Sequence, residues 1–232
     1  MTGADEVNKI LDRALEEGRK QLSEHESKRV LAAYGIPVTR EVLVRNEGAL
    51  VEAARKIGYP LVMKACAPEL AHKTEQNLVR VDVRNDGEAL GAFREIVSNM
   101  RGISDEVLVQ EMVRGRRELV VGLNRDPQFG PCVMFGLGGV FTEILKDVCF
   151  RIAPLSRRDA LDMMQEIRGR KILGAVRGME PADLESLAHI LVEVGRLGLE
   201  AERILEIDIN PLILSKGKPV AVDAFIALGP SG

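Results

Sequence analysis

Three oxygen-bearing side chains alternate with aliphatic ones in Leu205-Glu206-Ile207-Asp208-Ile209-Asn210, close to the C-terminus of this 232-residue chain. Strand side chains repeat with a period of two, so Glu206, Asp208 and Asn210 share one face. A two-residue turn at Lys216-Gly217 returns the chain along Pro219 to Ile226. Counting outward from that turn brings Asn210 directly across from Asp223. Cross-strand neighbours have Cβ atoms about 4.5–5.5 Å apart, close enough for two oxygens to share one hard cation. Mg²⁺ suits such a pair, because it takes one or two protein oxygens and completes its shell with water and phosphate. The competing reading is the solvated polar face of an amphipathic hairpin. Asp223 weighs against it: Ala221, Val222, Ala224 and Phe225 around it are all apolar, and an acid in such a strand calls for a cationic partner.

Four further segments could do chemistry. Lys64 sits inside Leu61-Val62-Met63-Lys64-Ala65, too apolar a strand to hold an ammonium without an anion, which could be a phosphate or a structural carboxylate. Gln110-Glu111-Met112-Val113 ends one strand and Glu118 opens the next. Such a hinge can offer backbone N–H and C=O to a base edge and a carboxylate to ribose hydroxyls, or it can be an ordinary hairpin. Gly136-Leu137-Gly138-Gly139 follows a strand, and its permissive backbone suits either a close approach to phosphate or a tight turn. It matches neither GxxxxGK[ST] nor GxGxxG. Of the three histidines, His25 and His189 fall within helical patterns, while His72 lies in the polar stretch Pro68 to Glu75. An exposed imidazole there is either a bystander or a nucleophile toward phosphorus.

The elements that must position these groups alternate in type. Helical apolar spacing runs from residues 5 to 18, and a second helix opens at Ser23, with Glu26 placed for a capping box, and stops at Gly35. Strands are expected near 41–44, 61–65, 78–83, 107–113, 118–124, 131–135 and 203–214, and along 219–226. Helices are expected over 47–56, 86–100, 157–168 and 181–198, the last with Pro181 in its first turn. Interleaved strands and helices give an α/β or α+β class. With 46% apolar residues the chain can bury a sizeable core. Its formal net charge of −3 offers no electrostatic reason to expect nucleic acid or an anionic membrane as partner. Cys66, Cys132 and Cys149 show no pairing pattern, no apolar run approaches a membrane span, and the N-terminus is acidic. A soluble, cytoplasmic protein is the expectation.

The order of motifs is more specific than any one of them. Glu24-His25-Glu26-Ser27-Lys28 and Tyr34-Gly35-Ile36-Pro37-Val38 are followed by Gly58-Tyr59-Pro60-Leu61-Val62-Met63-Lys64 and His72-Lys73. Val109 to Val113, Arg117-Glu118-Leu119, Phe135 to Gly139 and Asp208-Ile209-Asn210-Pro211-Leu212 complete the set. Over nearly the whole chain this resembles the β subunits of ADP-forming acyl-CoA synthetases, ATP-grasp proteins related to succinyl-CoA synthetase. The resemblance implies an ATP-grasp fold, two lobes of mixed sheet and helices with nucleotide between them: an N-terminal helix over 1–22 and lobes over 23–107 and 108–232. By the same resemblance Lys64 contacts nucleotide phosphate, Glu111 with the Met112-Val113 backbone holds adenine, and Glu118 holds ribose. Asn210 and Asp223 bind Mg²⁺, and His72 carries phosphate between ADP or ATP and a histidine on a partner. That partner is a CoA-binding α subunit, in a heteromer with two copies of each chain. One departure stands out: the family pattern His-Lys-Ser-Asp followed by paired glycines reads His72-Lys73-Thr74-Glu75-Gln76-Asn77 here. The alternatives are another ATP-grasp ligase subunit, such as a succinyl-CoA synthetase-like one, or a non-catalytic nucleotide-sensing module.

Overall fold

The computed structural model describes residues 3–68, 77–139, 146–176 and 178–229. The chain divides into two compact units: residues 23–25 with 39–112, and residues 1–22, 26–38 and 113–232. Helix α1 (Gly3–Glu16) turns Val7, Ile10, Leu11 and Ala14 inward, the 3.6-residue stripe read from the sequence, and joins the core of the larger unit. The first turn of α2 (Glu24–Ala33) belongs to the smaller unit and the remainder to the larger.

The smaller unit is a four-stranded antiparallel sheet under two helices. Its strands are β1 (Glu41–Val44), β2 (Leu61–Ala65), β3 (Val79–Val83) and β4 (Val107–Glu111), in the order β1-β4-β2-β3. Helices α3 (Glu47–Ile57) and α4 (Asp86–Asn99) are each started by an Asn side chain: Asn46 accepts from the Ala49 N–H and Asn85 from that of Glu88. Their apolar stripes meet Leu61, Met63 and Val109 in one core, each fully buried side chain contributing about 1.5–3 kcal/mol. Period two then turns Val62, Lys64, Leu108 and Gln110 to the opposite face of the same sheet.

The larger unit is a six-stranded antiparallel sheet. Its strands are β5 (Glu118–Asp126), β6 (Gly130–Leu137), β7 (Val148–Ile152), β8 (Ile204–Ser215), β9 (Lys218–Ala221) and β10 (Phe225–Leu228). The order is β10-β8-β5-β6-β7, with β9 also on β8. One face packs on α1, α5 (Arg157–Glu166) and α6 (Leu184–Glu200), through Leu119, Val121, Leu123, Val133, Phe135, Ile207 and Ile209. A short 3-10 helix spans Arg170–Leu173. Among the described residues no helix is long and apolar enough to cross a membrane.

Besides the 3-10 helix, which is not among the expected elements, three elements differ from the sequence expectation. Strand β7 is an addition to the expected set; it lies at the sheet edge and leaves Phe150 and Ile152 exposed, so no inward-facing alternation marks it. Helix α6 begins after Asp183 rather than at Pro181, because the Asp183 carboxylate accepts from the Ser186 N–H and hydroxyl. The last expected strand is two, β9 and β10, separated at 222–224. Across that gap lies Pro211, which has no N–H to continue the ladder; the Val222 N–H bonds to its carbonyl, at 3.1 Å.

Candidate functional site

The C-terminal hairpin keeps one register on both sides of its gap. Nearest the turn, Ser215 pairs with Lys218 and Leu212 with Ala221; beyond the gap, Asp208 pairs with Phe225 and Ile207 with Ile226. Continuity of that register sets residue 210 opposite residue 223. Lys216 and Gly217 both have positive φ, +49° and +78°, as a two-residue hairpin turn requires.

Side chains on the face of the larger sheet opposite the helices form a groove of about 330 Å³. It is lined by Val120, Gly122 and Asn124 of β5, Cys132 and Met134 of β6, Phe150 of β7, and Glu206, Asp208 and Asn210 of β8. Cross-strand pairing makes a row of it: Phe225, Asp208, Gly122, Met134 and Phe150 follow one another across five strands. One end of the groove is apolar and the other acidic, and among the described residues no lysine or arginine lines it. Burial, then the charges of Glu206 and Asp223, push the Asp208 carboxyl up from 3.8 to about 6. The alternation of β8 marks Asp208 only as a face-mate of Asn210; its raised proton affinity depends on burial, which the strand pattern does not encode.

Among the described residues no three His, Cys, Asp or Glu side chains are grouped to hold a metal by themselves. An Asn210 amide oxygen opposite an Asp223 carboxylate, beside like charges that burial amplifies, is a donor set of the kind Mg²⁺ takes when water and phosphate supply the rest. The residues present therefore fit that ion.

Glu118 is the first residue of β5 and pairs with Ile213 of β8. Period two puts it on the same face as Val120, Gly122 and Asn124. Its neighbour Arg117 is buried and turned the other way, its guanidinium donating to the carbonyls of Ile172, Gly174 and Glu180. Arg117 thus ties the 170–180 segment to the start of β5.

In the smaller unit, Lys64 has a carboxylate partner. Its ammonium donates to Glu24 Oε1 at 2.7 Å, with the side chains 8% and 2% exposed. Glu111 closes β4, and its carboxylate accepts from the backbone N–H of Arg40 at 2.9 Å and from Arg40 Nε at 2.8 Å. The Met112 N–H donates to the Pro60 carbonyl at 3.3 Å. Neither pairing is signalled by local sequence, since 40 residues separate Lys64 from Glu24 and 71 separate Glu111 from Arg40. Val113 is the first residue of the larger unit's main segment. His25 bonds Glu41 through Nδ1 at 2.9 Å. His72, the expected phosphate carrier, lies outside the described residues.

The ATP-grasp domain family matches residues 13–228. The chain is 45% identical over 227 residues to the β subunit of acetate–CoA ligase (ADP-forming) I of Pyrococcus furiosus, covering 96% of this chain and 97% of that one. It is 42% identical over 231 residues to acetate–CoA ligase (ADP-forming) I of Archaeoglobus fulgidus, where it covers 97% of this chain but only 33% of that longer one. Among solved structures, acetyl-coenzyme A synthetase 1 of Ca. Korarchaeum cryptofilum, in complex with coenzyme A, Ca-AMPCP and HgCl⁺, superposes with a TM-score of 0.91 at 45% identity, over 95% of this chain and 99% of that one. The same protein with coenzyme A and Mg-AMPPCP, its phosphohistidine segment pointing towards the nucleotide binding site, gives 0.86 at 45% identity, over 96% and 100%. Two antiparallel sheets with helices on one face of each, and a sequence match along nearly the full chain, establish that this protein belongs to the ATP-grasp family, in its branch of ADP-forming acetate–CoA ligase β subunits.

Proposed function

We propose that this chain binds ADP or ATP with Mg²⁺ and moves a phosphoryl group between the nucleotide and His72, as the β subunit of an ADP-forming acyl-CoA ligase. The observation that carries the reading is the hairpin register, which sets residue 210 opposite 223 beside the half-buried carboxyl of Asp208. A groove with acidic and amide oxygens and no basic side chain among its described residues repels a polyphosphate unless a cation lies between them. Asn210 and Asp223 would hold Mg²⁺, which would supply that charge and offset the negative charge of the transferring phosphoryl group.

The chain's own residues do the rest. Lys64 is already neutralised by Glu24, so it meets phosphate as the donor of a neutral pair rather than as an uncompensated charge. Glu118 accepts from ribose hydroxyls. Because Glu111 is engaged by Arg40, recognition of the base in this stretch rests on backbone groups, the Glu111 carbonyl and the Val113 N–H among them. A neutral imidazole nitrogen of His72 attacks the γ-phosphorus of ATP, the bond to the β–γ bridging oxygen breaks, and ADP leaves; the reverse makes ATP. The Korarchaeum relative, with its phosphohistidine segment pointing towards its nucleotide site, supports this step. A CoA-binding α subunit then exchanges the phosphoryl group through its own histidine, in an assembly of two α and two β chains. Three free thiols suit a reducing cytoplasm.

The test is incubation of the purified chain with γ-labelled ATP and Mg²⁺, with His72→Ala and Asp223→Ala alongside. Acid-labile, base-stable label in the wild type, lost in both variants, is expected. Wild-type protein that stays unlabelled even with a cognate α subunit overturns the relay and leaves a nucleotide-binding module.

A further inference from the structure

The glycines of Gly136-Leu137-Gly138-Gly139 have their missing side chains replaced by protein. A Cβ on Gly136 would lie 2.5 Å from the Asp147 carbonyl oxygen and 2.6 Å from Val148 Cγ1. One on Gly138 would meet the backbone of β5 at 2.7–2.9 Å, at the Leu119 carbonyl and the Glu118 carbonyl carbon. One on Gly139, whose φ is +65°, would sit 2.5 Å from Glu118 Oε2. The Gly138 N–H also donates to the Glu118 carbonyl at 2.8 Å. The contacts of Gly138 and Gly139 fall on the first two residues of β5, with the Glu118 carboxylate lying against the bare Cα of Gly139. Among the described residues, the three atoms nearest that missing Cβ all belong to the Glu118 side chain.

We infer that the Gly138-Gly139 turn is a positioning device for the Glu118 carboxylate, and that these glycines are needed for that acid rather than for phosphate. The inference rests on the proposed role of Glu118 as the acceptor of the ribose hydroxyls. A side chain at residue 139 pushes the carboxylate off its rotamer, since the backbone beneath it is held by the sheet ladder and by the Gly138 bond. The loss should appear in recognition of the sugar and not of the phosphates. Gly139 acts through Glu118 and touches no substrate itself.

The experiment uses the complete enzyme with its partner subunit, and compares kcat/KM for ADP with that for 2′-deoxy-ADP and 3′-deoxy-ADP. The wild type should prefer ADP over at least one deoxy analogue by about tenfold or more, the scale of a hydrogen bond to a carboxylate. Gly139→Ala should reduce that preference to the level of Glu118→Gln, and the double variant should show no further loss. Gly139→Asn, which tolerates positive φ, separates the clash from backbone strain and should lose the preference as well. If Glu118→Gln loses the preference while both Gly139 variants keep it, the positioning role is overturned. If Glu118→Gln itself keeps full preference for ADP, the ribose role of Glu118 is overturned and the inference falls with it.

Discussion

In the four-stranded sheet the buried ammonium of Lys64 meets the carboxylate of Glu24, whereas on the six-stranded sheet Asp208 lies half-buried beside Glu206 and Asp223, in a groove with no lysine or arginine among its described lining residues. The first arrangement satisfies itself within the protein. The second raises the energy of an anion. Both sheets are antiparallel with helices on one face, so the contrast comes from what each opposite face carries and not from architecture. A self-paired lysine is costly to break from one side, while gathered carboxyls raise one another's proton affinity.

The sharpest way to break this comparison is to remove one member of the satisfied pair. Glu24→Ala leaves the Lys64 ammonium buried without that carboxylate and should cost about 3–5 kcal/mol in urea unfolding, with Glu24→Leu/Lys64→Met recovering most of it. A cost under about 1 kcal/mol would mean that the pair is as dispensable as a surface one. The opposite behaviour is expected at the acidic groove. Asp223→Ala should lower ADP-dependent turnover by roughly 10²-fold, the scale of losing one electrostatic partner of the transferring group, while unfolding in metal-free buffer stays within about 1 kcal/mol of wild type. Stability lost together with activity would make Asp223 a structural acid.

A third expectation concerns pH. The Asp208 carboxyl has a higher proton affinity in the folded state, about 6 against an ordinary 3.8. Ionising it therefore costs stability, and the cost builds as pH rises through the interval between those values and persists above it. Asp208→Asn should match wild type near pH 4 and exceed it above pH 6 by about 2 kcal/mol. Adding Mg²⁺ should narrow the gap above pH 6. A gap that is independent of both pH and Mg²⁺ would show that packing, not charge, sets the difference. The smallest effect belongs to Arg40→Ala: the Arg40 side chain is 65% exposed, so losing its ion pair with Glu111 should cost only about 0.5 kcal/mol in the same unfolding assay.

The local features are legible in the order of residues. Lys216-Gly217 supplies the turn, period two supplies the face, and together they set the register of residues 206–227 on both sides of the gap. Even the gap has a local cause, since Pro211 lacks an N–H, although alternation alone runs one strand through it. The order of motifs points to the fold family, which the match over residues 13–228 supports independently.

What the sequence determined by itself is whatever depends on neighbours a few residues away: helix stripes, the Asn46 and Asn85 caps, the hairpin turn, and the alternation that gathers Glu206, Asp208 and Asn210. Only the tertiary structure decided which distant groups meet. The strand order β1-β4-β2-β3 brings the Arg40 stretch beside Glu111, and the packing of the turn after β6 lays Gly139 under Glu118. Glu24 at the start of α2 reaches Lys64 in the same way, and burial, more than its charged neighbours, lifts Asp208 away from an ordinary acid. Periodicity tells which way a side chain points along its own strand. It carries no information on which strand lies alongside or how much water is left there, and those two quantities set both the partner of a charge and its proton affinity.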